Sequence, residues 1–282
     1  EQNQITINAG SANTTHLNEQ LIKSMRSSIL LIGQMLSRFN SITIPEPGGC
    51  FLGNRPLNTH ISVLEQFGAE VKREKNEQGK EQYSISIKKM HGADITLSEF
   101  SVTATENAIM LAALGSGRTI IRLAAQEPHI QNLISFLDAA GADIHEKPGN
   151  KIIINGVKKL HGVAHRIIPD MIETGTLAVA GALVGRGIVL HNIEPNHLSI
   201  ILHKLKEIGV KLETGINKNG GSTLKILPSK NFNPFKLQTL PYPGFPTDLQ
   251  EPFSLLASQG IGASLIHDPL FEDRMRHFPV LI

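Results

Sequence analysis

The chain has 282 residues, of which 40% are hydrophobic and 18% are charged, and its formal net charge is +2. This length and composition predict a soluble protein with room for two ordinary domains. Lysine and arginine are spread along the sequence, so no basic stripe is present and no nucleic-acid partner is expected. No apolar run approaches the roughly 20 residues of a membrane-spanning helix, so membrane insertion is not expected either.

The single cysteine and the two ends of the chain bear on its compartment and completeness. One cysteine cannot form an internal disulfide, and no secretory signal pattern opens the sequence, so we expect a cytoplasmic protein. The chain starts at Glu1 rather than methionine and stops at Ile282 without a terminating element. These ends favour a fragment of a longer protein.

The first predicted element is a helix over Leu17–Arg38, on which Arg26 lies. Its apolar residues follow helical spacing: Leu21, Ile22, Met25, Ile29 and Ile32. An exposed arginine is usually solvated surface. The same interpretation applies to Arg55 and Arg274, but their loops are flanked by glycine or proline, which suits the binding of phosphate or carboxylate by a planar guanidinium.

The loop EPGGCFLGNRP, residues 46–56, contains the lone cysteine, Cys50. A single cysteine is more often a small buried apolar residue than a reactive one. Here Gly48, Gly49 and Gly53 make the loop permissive, and the cation of Arg55 favours the thiolate. These neighbours make Cys50 a candidate acid or nucleophile.

A repeated unit follows, with a period of roughly 70 residues. Three helices each begin near a proline and end at an equivalent glycine: Gly68, Gly141 and Gly209. Short β-branched segments flank them, at residues 119–123, 151–156, 187–193 and 223–228. The pattern predicts a compact α/β unit that is used several times. A boundary near Arg166 to Asp170 would divide the chain into residues 1–167 and 168–282, and the alternative is a loop within one continuous domain.

Two motifs around the central helices have both ordinary and functional interpretations. Ser101-Val102-Thr103 precedes the helix TENAIMLAAL and could bind an anion, although a plain Ser/Thr cap is commoner. LGSGRTI at 114–120 lacks the lysine of a phosphate loop and is predicted as a turn between a helix and a strand. Strand-like HRIIPD then gives way to an Ala-rich helix near Asp170.

The proline-rich segment 228–246 ends in LPYPGFPTDLQ, which places Asp248 at the start of a helix beginning near Thr247. An acid at that position can simply complement the helix dipole. The alternative is a general base held by a stiff loop. The twelve histidines show no metal-ligand spacing, so no metal and no cofactor are expected.

Six motifs in order resemble the UDP-N-acetylglucosamine 1-carboxyvinyltransferase family of enolpyruvyl transferases. They are PGGCFLGNRPLNTHI, SVTATENAIM, AAQEPHIQNLISFLDAAGA, RIIPDMIETGT, YPGFPTDLQ and FEDRMRH. The resemblance implies an α/β fold of the inside-out barrel type, with two lobes built from repeated small α/β units. It also implies transfer of the enolpyruvyl group of phosphoenolpyruvate to the 3'-hydroxyl of UDP-N-acetylglucosamine, a step of peptidoglycan synthesis that is inhibited by fosfomycin.

The resemblance also assigns roles to individual residues. It makes Cys50 the acid on a mobile loop and Asp248 the base at the 3'-hydroxyl. Substrate contacts are implied for Arg26, Arg55, Pro56, Leu57, Asn58, Thr59, His60, Phe100, Ser101, Val102, Leu270 and Arg274. For Leu270 the implied contact is through the backbone. Several arginines suit two anionic substrates that repel each other.

The sequence departs from the family at several positions. Asn58 stands where the family usually has aspartate, Met171 where it has arginine, and the Lys-Asn pair of the opening strand and the last repeat are absent. We therefore expect little activity from this chain alone. Two alternatives remain open: a non-catalytic UDP-sugar-binding remnant, and the sister transferase acting on shikimate 3-phosphate, which does not rely on a loop cysteine.

Overall fold

The computed structural model describes residues 3–13, 17–48, 57–184 and 186–280, and these form two compact units. The first comprises described residues in 3–48, 57–123 and 141–161, and the second those in 124–140 and 162–280. The predicted lobe boundary between residues 167 and 168 stays a prediction, because contact-based units and repeat-based lobes are different divisions of a chain.

The first unit contains four helices and seven strands among the described residues. In chain order they are α1 (Glu19–Ser24), α2 (Leu31–Phe39), β1 (Ser41–Pro45), α3 (Asn58–Gln66), β2 (Glu70–Lys75), β3 (Glu81–Ser86), β4 (Asp94–Thr96), α4 (Val102–Ala113), β5 (Arg118–Arg122), β6 (Asp143–Lys147) and β7 (Lys151–Asn155). One antiparallel sheet has the order β1-β3-β2, and the other has the order β4-β5-β7-β6 with β4 parallel to β5.

The second unit contains four helices and five strands among the described residues. They are α5 (Pro128–Ala139), α6 (Met171–Leu183), β8 (Ile188–His191), α7 (Ser199–Glu207), β9 (Leu212–Ile216), β10 (Ser222–Ile226), β11 (Lys236–Gln238), α8 (Gln250–Ser258) and β12 (Leu265–His267). Three strands pair antiparallel in the order β8-β10-β9, and β11 pairs with β12 in parallel.

The predicted repeat is confirmed by the strand order. Three times the chain runs strand, helix, strand, strand, and each time the last strand pairs between the other two: β1-β3-β2, β5-β7-β6 and β8-β10-β9. The glycines expected to end the helices have positive φ, at +87° for Gly68, +100° for Gly141 and +93° for Gly209. A residue without a Cβ adopts this left-handed conformation at little cost, which explains their equivalent positions.

Each unit has a central helix that packs against several other elements. In the first unit α4 packs against α2, α3, β5 and β7, and most of its residues are buried. In the second unit α6 packs against α8, β8 and β10. Buried positions cover most of α4, whereas on α6 they cover only part of the surface and comprise Thr174, Gly175, Ala178, Val179, Gly181 and Ala182.

Two predicted elements were wrong. The helix expected over Leu17–Arg38 is interrupted at Met25, whose backbone is extended (φ −137°, ψ 134°), and a 3₁₀ turn, Arg26–Leu30, precedes α2. The strand-like HRIIPD forms no strand, and its last residue, Asp170, instead caps α6. Apolar spacing continues through both places, so periodicity alone could not show either.

Candidate functional site

The loop with the predicted acid lies mostly outside the described residues, which include neither Cys50 nor Arg55 nor Pro56. The structure does describe the start of the loop, residues 46–48, which we call the loop base. A Cβ added to Gly48 would lie 1.7 Å from the carbonyl oxygen of Lys23, at the end of α1. Only glycine allows this approach, so Gly48 has a packing role at the base of the loop.

Arg26 lies beside the same loop base. Its Nη1 donates to the carbonyl oxygen of Pro47 over 3.4 Å, and the side chain is half-buried. The break at Met25 sets this position, because a continuous helix would have rotated the residues after it by a different angle. Arg26 is therefore held close to the backbone that leads to the cysteine loop.

The predicted nucleotide-sugar segment continues at the start of α3. Leu57 precedes the helix and is buried, and Thr59 and His60 in its first turn are buried as well. The hydroxyl of Thr59 donates to Oε1 of Glu99 over 2.6 Å. Glu99 thus fixes this turn, and sequence reasoning missed it because the two residues are 40 positions apart.

The second predicted segment, Phe100 to Val102, lies at the start of α4. Ser101 is the N-cap of this helix, and its Oγ accepts the backbone N–H of Ala104 over 3.4 Å, which confirms the ordinary capping interpretation. Phe100 is exposed. Nε2 of His60 and the hydroxyl of Thr103 share a hydrogen bond of 2.8 Å. Two side-chain bonds thus bring the starts of α3 and α4 together, and with them both predicted segments.

In the second unit, Asp248 lies in a 3₁₀ turn, Thr247–Leu249, directly before α8. Leu249 anchors this turn: it is fully buried, and its Cδ1 would be 2.5 Å from a Cβ placed on Gly175 of α6. The glycine leaves the space that the leucine fills. The neighbouring Asp248 side chain faces the other way and is 60% exposed.

Arg274 joins the Asp248 turn through its guanidinium, which is 6% exposed. Nη2 donates to Oδ1 of Asp248 over 2.5 Å and to the carbonyl oxygen of Thr247 over 3.1 Å, and Nε donates to the same carbonyl over 3.3 Å. The predicted base and one predicted substrate arginine therefore form an ion pair. Such charge-assisted bonds hold a carboxylate in a defined orientation.

Leu270, predicted to contact substrate through its backbone, follows β12 by three residues. Its backbone N–H donates to Oδ1 of Asp268 over 2.9 Å, and Oδ2 of Asp268 accepts the hydroxyl of Thr247. Sequence reasoning missed Asp268. The only signal available was an Asp-Pro step after a short strand, which is a common turn signal.

His129 on α5 belongs to the surroundings of this turn. His129 is an exposed residue, but partial burial of its imidazole lowers the pKa of His129 below 6.5. The negative charges of Glu127, Asp170 and Asp248 oppose this effect because they raise the pKa. A neutral imidazole is therefore expected at neutral pH. Asp170 uses its own carboxylate to cap α6, accepting the N–H groups of Ile172 and Glu173.

Within the ranges given above, no three His, Cys, Asp or Glu residues group in a way that could hold a metal ion. Among the helices of those ranges, none has the length and apolar character needed to cross a membrane.

Two curated relatives with similar sequences are named for the same activity. The chain is 42% identical over 260 residues to UDP-N-acetylglucosamine 1-carboxyvinyltransferase 2 of Bacillus subtilis (strain 168), which covers 92% of the chain and 58% of that protein. It is 40% identical over 275 residues to UDP-N-acetylglucosamine 1-carboxyvinyltransferase of Prochlorococcus marinus (strain NATL2A), with 98% and 59% covered. The chain thus spans about three fifths of the length of these relatives.

Solved structures show the same fold. The enolpyruvyl transferase NikO from Streptomyces tendae superposes with a TM-score of 0.80 at 20% identity, covering 96% of this chain and 63% of that one. EPSP synthase from Acinetobacter baumannii superposes with a TM-score of 0.62 at 21% identity, covering 86% and 55%. This confirms the α/β enolpyruvyl transferase fold expected from the sequence.

A family model described as EPSP synthase (3-phosphoshikimate 1-carboxyvinyltransferase) matches residues 1–282. This match covers both units of the fold. It therefore includes the repeated strand order and the Asp248–Arg274 pair. The chain belongs to the EPSP synthase (3-phosphoshikimate 1-carboxyvinyltransferase) family.

Proposed function

We propose that the chain carries the site of an enolpyruvyl transferase that uses phosphoenolpyruvate and the 3'-hydroxyl of UDP-N-acetylglucosamine and releases phosphate. Relatives about 40% identical over most of the chain bear the name of that activity. The reaction would serve peptidoglycan synthesis, and with it cell shape and division, and the proposed location is the cytoplasm.

The observation that carries the proposal is the Asp248–Arg274 pair. A buried guanidinium holds Oδ1 of a carboxylate that is still 60% exposed, so the acid is oriented and accessible at once. A general base requires both properties, because it must lie within hydrogen-bond reach of the hydroxyl that it deprotonates. A carboxylate that only capped a helix would not need a buried arginine.

The proposed chemistry is an addition followed by an elimination. Asp248 accepts the proton of the 3'-hydroxyl while the hydroxyl oxygen bonds to C2 of phosphoenolpyruvate. In the same step Cys50 protonates the C3 methylene carbon. The Cys50 thiolate then takes a proton from the resulting methyl group, which restores the double bond as the C2–O bond to phosphate breaks, and the proton on Asp248 leaves with the phosphate. Water must be kept from the intermediate, which is the role proposed for closure of the cysteine loop.

The proposed anion-binding groups are the arginines. Arg26 would contribute at the base of the cysteine loop, Arg274 beside Asp248, and Arg55 from within the loop. Phosphoenolpyruvate and the diphosphate of the sugar nucleotide are both anions, and fixed guanidinium groups stabilise charge that develops on the phosphate as it leaves.

Phosphate release from phosphoenolpyruvate and UDP-N-acetylglucosamine tests the proposal directly. Asp248→Asn keeps the shape of the side chain and an acceptor for Arg274, so we expect the chain to fold while kcat falls by about 100-fold or more. Asp273→Asn is the matched control. Asp273 precedes Arg274 in the chain, but its carboxylate pairs with Arg276 and not with Arg274. Equal turnover by wild type and Asp248→Asn would exclude Asp248 as the base.

Fosfomycin, an epoxide, tests the part assigned to Cys50. We expect one adduct on intact-mass measurement when UDP-N-acetylglucosamine is present, and none in Cys50→Ser. Because the thiolate is the nucleophile, an activated cysteine should react faster than a plain surface thiol. Retained binding of UDP-N-acetylglucosamine without an adduct and without turnover would instead favour the non-catalytic sugar-nucleotide binder.

The second candidate acceptor is shikimate 3-phosphate, because the matching family model bears the name of that activity. The two acceptors are compared in the same phosphate-release assay. We expect turnover with UDP-N-acetylglucosamine only, at the low rate expected of this chain alone. Turnover with shikimate 3-phosphate alone would replace the proposed acceptor and leave the roles of Asp248 and Arg274 to be tested with the new one.

A further inference from the structure

We propose that Asp268 is a positioning residue, which aligns the Asp248 turn and the Leu270 backbone through one carboxylate. The inference rests on the proposed function for what Asp248 and Leu270 contact. It adds a residue to which neither the sequence motifs nor the resemblance assigns a role.

Asp268 is placed by the parallel pair of strands in the second unit. It directly follows β12, whose residues Leu265 to His267 pair with β11. The carbonyl of His267 accepts the N–H of Thr239 over 3.0 Å, so the strand is held up to the residue before Asp268. The carboxylate therefore projects from a fixed strand end.

From that point the two oxygens of Asp268 serve two different segments. Oδ2 accepts the hydroxyl of Thr247 over 2.5 Å, and Oδ1 accepts the backbone N–H of Leu270 over 2.9 Å. Hydrogen bonds to an ionised acceptor are short and about twice as strong as neutral ones. One half-buried side chain thus connects the proposed base turn with the proposed sugar-nucleotide contact.

Thr247 is consequently held at both of its polar ends. Arg274 binds its carbonyl oxygen and Asp268 binds its hydroxyl, while Leu249 anchors the other end of the same turn in the core. Asp248 between them is 60% exposed, so packing alone does not orient it. Its direction depends on the ion pair with Arg274 and on the backbone of its neighbours, and the Thr247 hydroxyl helps to fix that backbone.

This geometry predicts different kinetic effects for the two ends of the link. Thr247→Val removes the hydroxyl at similar volume and leaves the bond to Leu270, so it should disturb Asp248 only. Asp268→Ala removes both bonds. Small displacements of a reacting group are costly because catalysis needs near-attack geometry.

The experiment compares kcat and the KM for UDP-N-acetylglucosamine in the phosphate-release assay. For Thr247→Val we expect kcat to fall at least tenfold with KM within twofold of wild type. For Asp268→Ala we expect the same fall in kcat and a KM at least fivefold higher. Thr247→Ser keeps the hydroxyl and should retain most of the wild-type kcat. Hydrogen exchange adds a second readout: exchange at the Leu270 amide should rise in Asp268→Ala and stay near wild type in Thr247→Val.

The outcomes separate this inference from the proposed function. Wild-type kinetics in both variants, or an equal loss in Thr247→Val and Thr247→Ser, would overturn the positioning role. If the wild-type chain neither binds UDP-N-acetylglucosamine nor releases phosphate, the proposed function fails. Whenever the wild-type chain releases no phosphate, kcat and KM cannot be compared, and hydrogen exchange decides the link alone. In that case, unchanged exchange at Leu270 in Asp268→Ala would overturn it.

Discussion

Arg274 shows how single residues determine the second unit's polar site. Its guanidinium is nearly enclosed, and a buried cation must be paired because the cost of removing it from water is high. The Thr247 carbonyl and the Asp248 carboxylate are the partners described. The same bonds that stabilise the arginine therefore orient the proposed base, so function and stability depend on one group.

Tyr83 gives a pH prediction for a single residue. It lies in β3, the central strand of its sheet, is 6% exposed, and burial raises the pKa of its phenol above the ordinary 10.0, against the opposing charge of Arg73. The folded state then holds this proton more tightly than the unfolded state. Stability from Tyr83 is complete below pH 10 and is lost as the pH rises through the higher folded-state pKa.

Tyrosinate absorbance and urea unfolding measured against pH check this prediction. The chain has two tyrosines, and we expect Tyr83→Phe to remove the later ionisation step. We also expect the variant's unfolding free energy to fall less steeply than that of the wild type above pH 10. A late step that survives in Tyr83→Phe would show that this phenol is not the shifted group.

At the scale of elements, the contact between α2 and α4 rests on a glycine and an asparagine. The N–H of Gly33 donates to Oδ1 of Asn107 over 2.7 Å, and Nδ2 of Asn107 donates to the carbonyls of Ile29 and Thr103. Asn107 is 2% exposed, so its amide has to find partners inside the protein. The close approach of the two helices provides them.

Gly33→Ala tests that close approach. Alanine would gain about 1 kcal/mol in helix propensity. Its Cβ, however, would lie 2.7 Å from the Asn107 carbonyl oxygen, and a backbone atom cannot easily move away. Overpacking of this kind costs about 1–3 kcal/mol, so we expect a net loss of unfolding free energy in urea. Gly162→Ala is the control, because its Cβ would meet nothing within 4 Å. Equal stability of the two variants would contradict the packing argument.

The success of prediction from sequence differed between elements for a physical reason. Helices α5 and α7 and their glycine ends were predicted because proline, apolar spacing and a left-handed glycine are local signals. The break at Met25 was missed because one extended residue leaves the apolar spacing intact. Asp248 was predicted from its motif. The Asp248–Arg274 and Thr247–Asp268 bonds join residues 26 and 21 positions apart and have no local signal.

At the scale of the whole molecule, each unit requires its own core. In the second unit the apolar cluster includes Phe253 of α8, which is fully buried. Its ring packs edge-on against Phe245, with ring centroids 4.8 Å apart and planes at 76°. Edge-to-face pairs of this kind add to the stability from burial itself. Among the residues that the structure describes, this cluster includes none from the first unit.

Phe253→Ala should therefore weaken the second unit first. We expect a loss of about 3–5 kcal/mol in unfolding free energy, which is typical of a large buried aromatic residue. Hydrogen exchange should rise more within residues 162–280 than within β1 to β3. Leu255→Ala is the control, because Leu255 lies on the same helix but is 40% exposed. A uniform rise in exchange across both units would show that they unfold as one.

The contact at Gly48 has a consequence for how the cysteine loop can vary. Every substitution of Gly48 adds a Cβ. This Cβ would lie 1.7 Å from the Lys23 carbonyl oxygen, so even alanine would collide with the backbone. Saturation mutagenesis should therefore find position 48 closed to all nineteen alternatives, whatever their charge or size. Substitutions in the loop are therefore expected to be tolerated only after residue 48, while Gly48 itself stays unchanged.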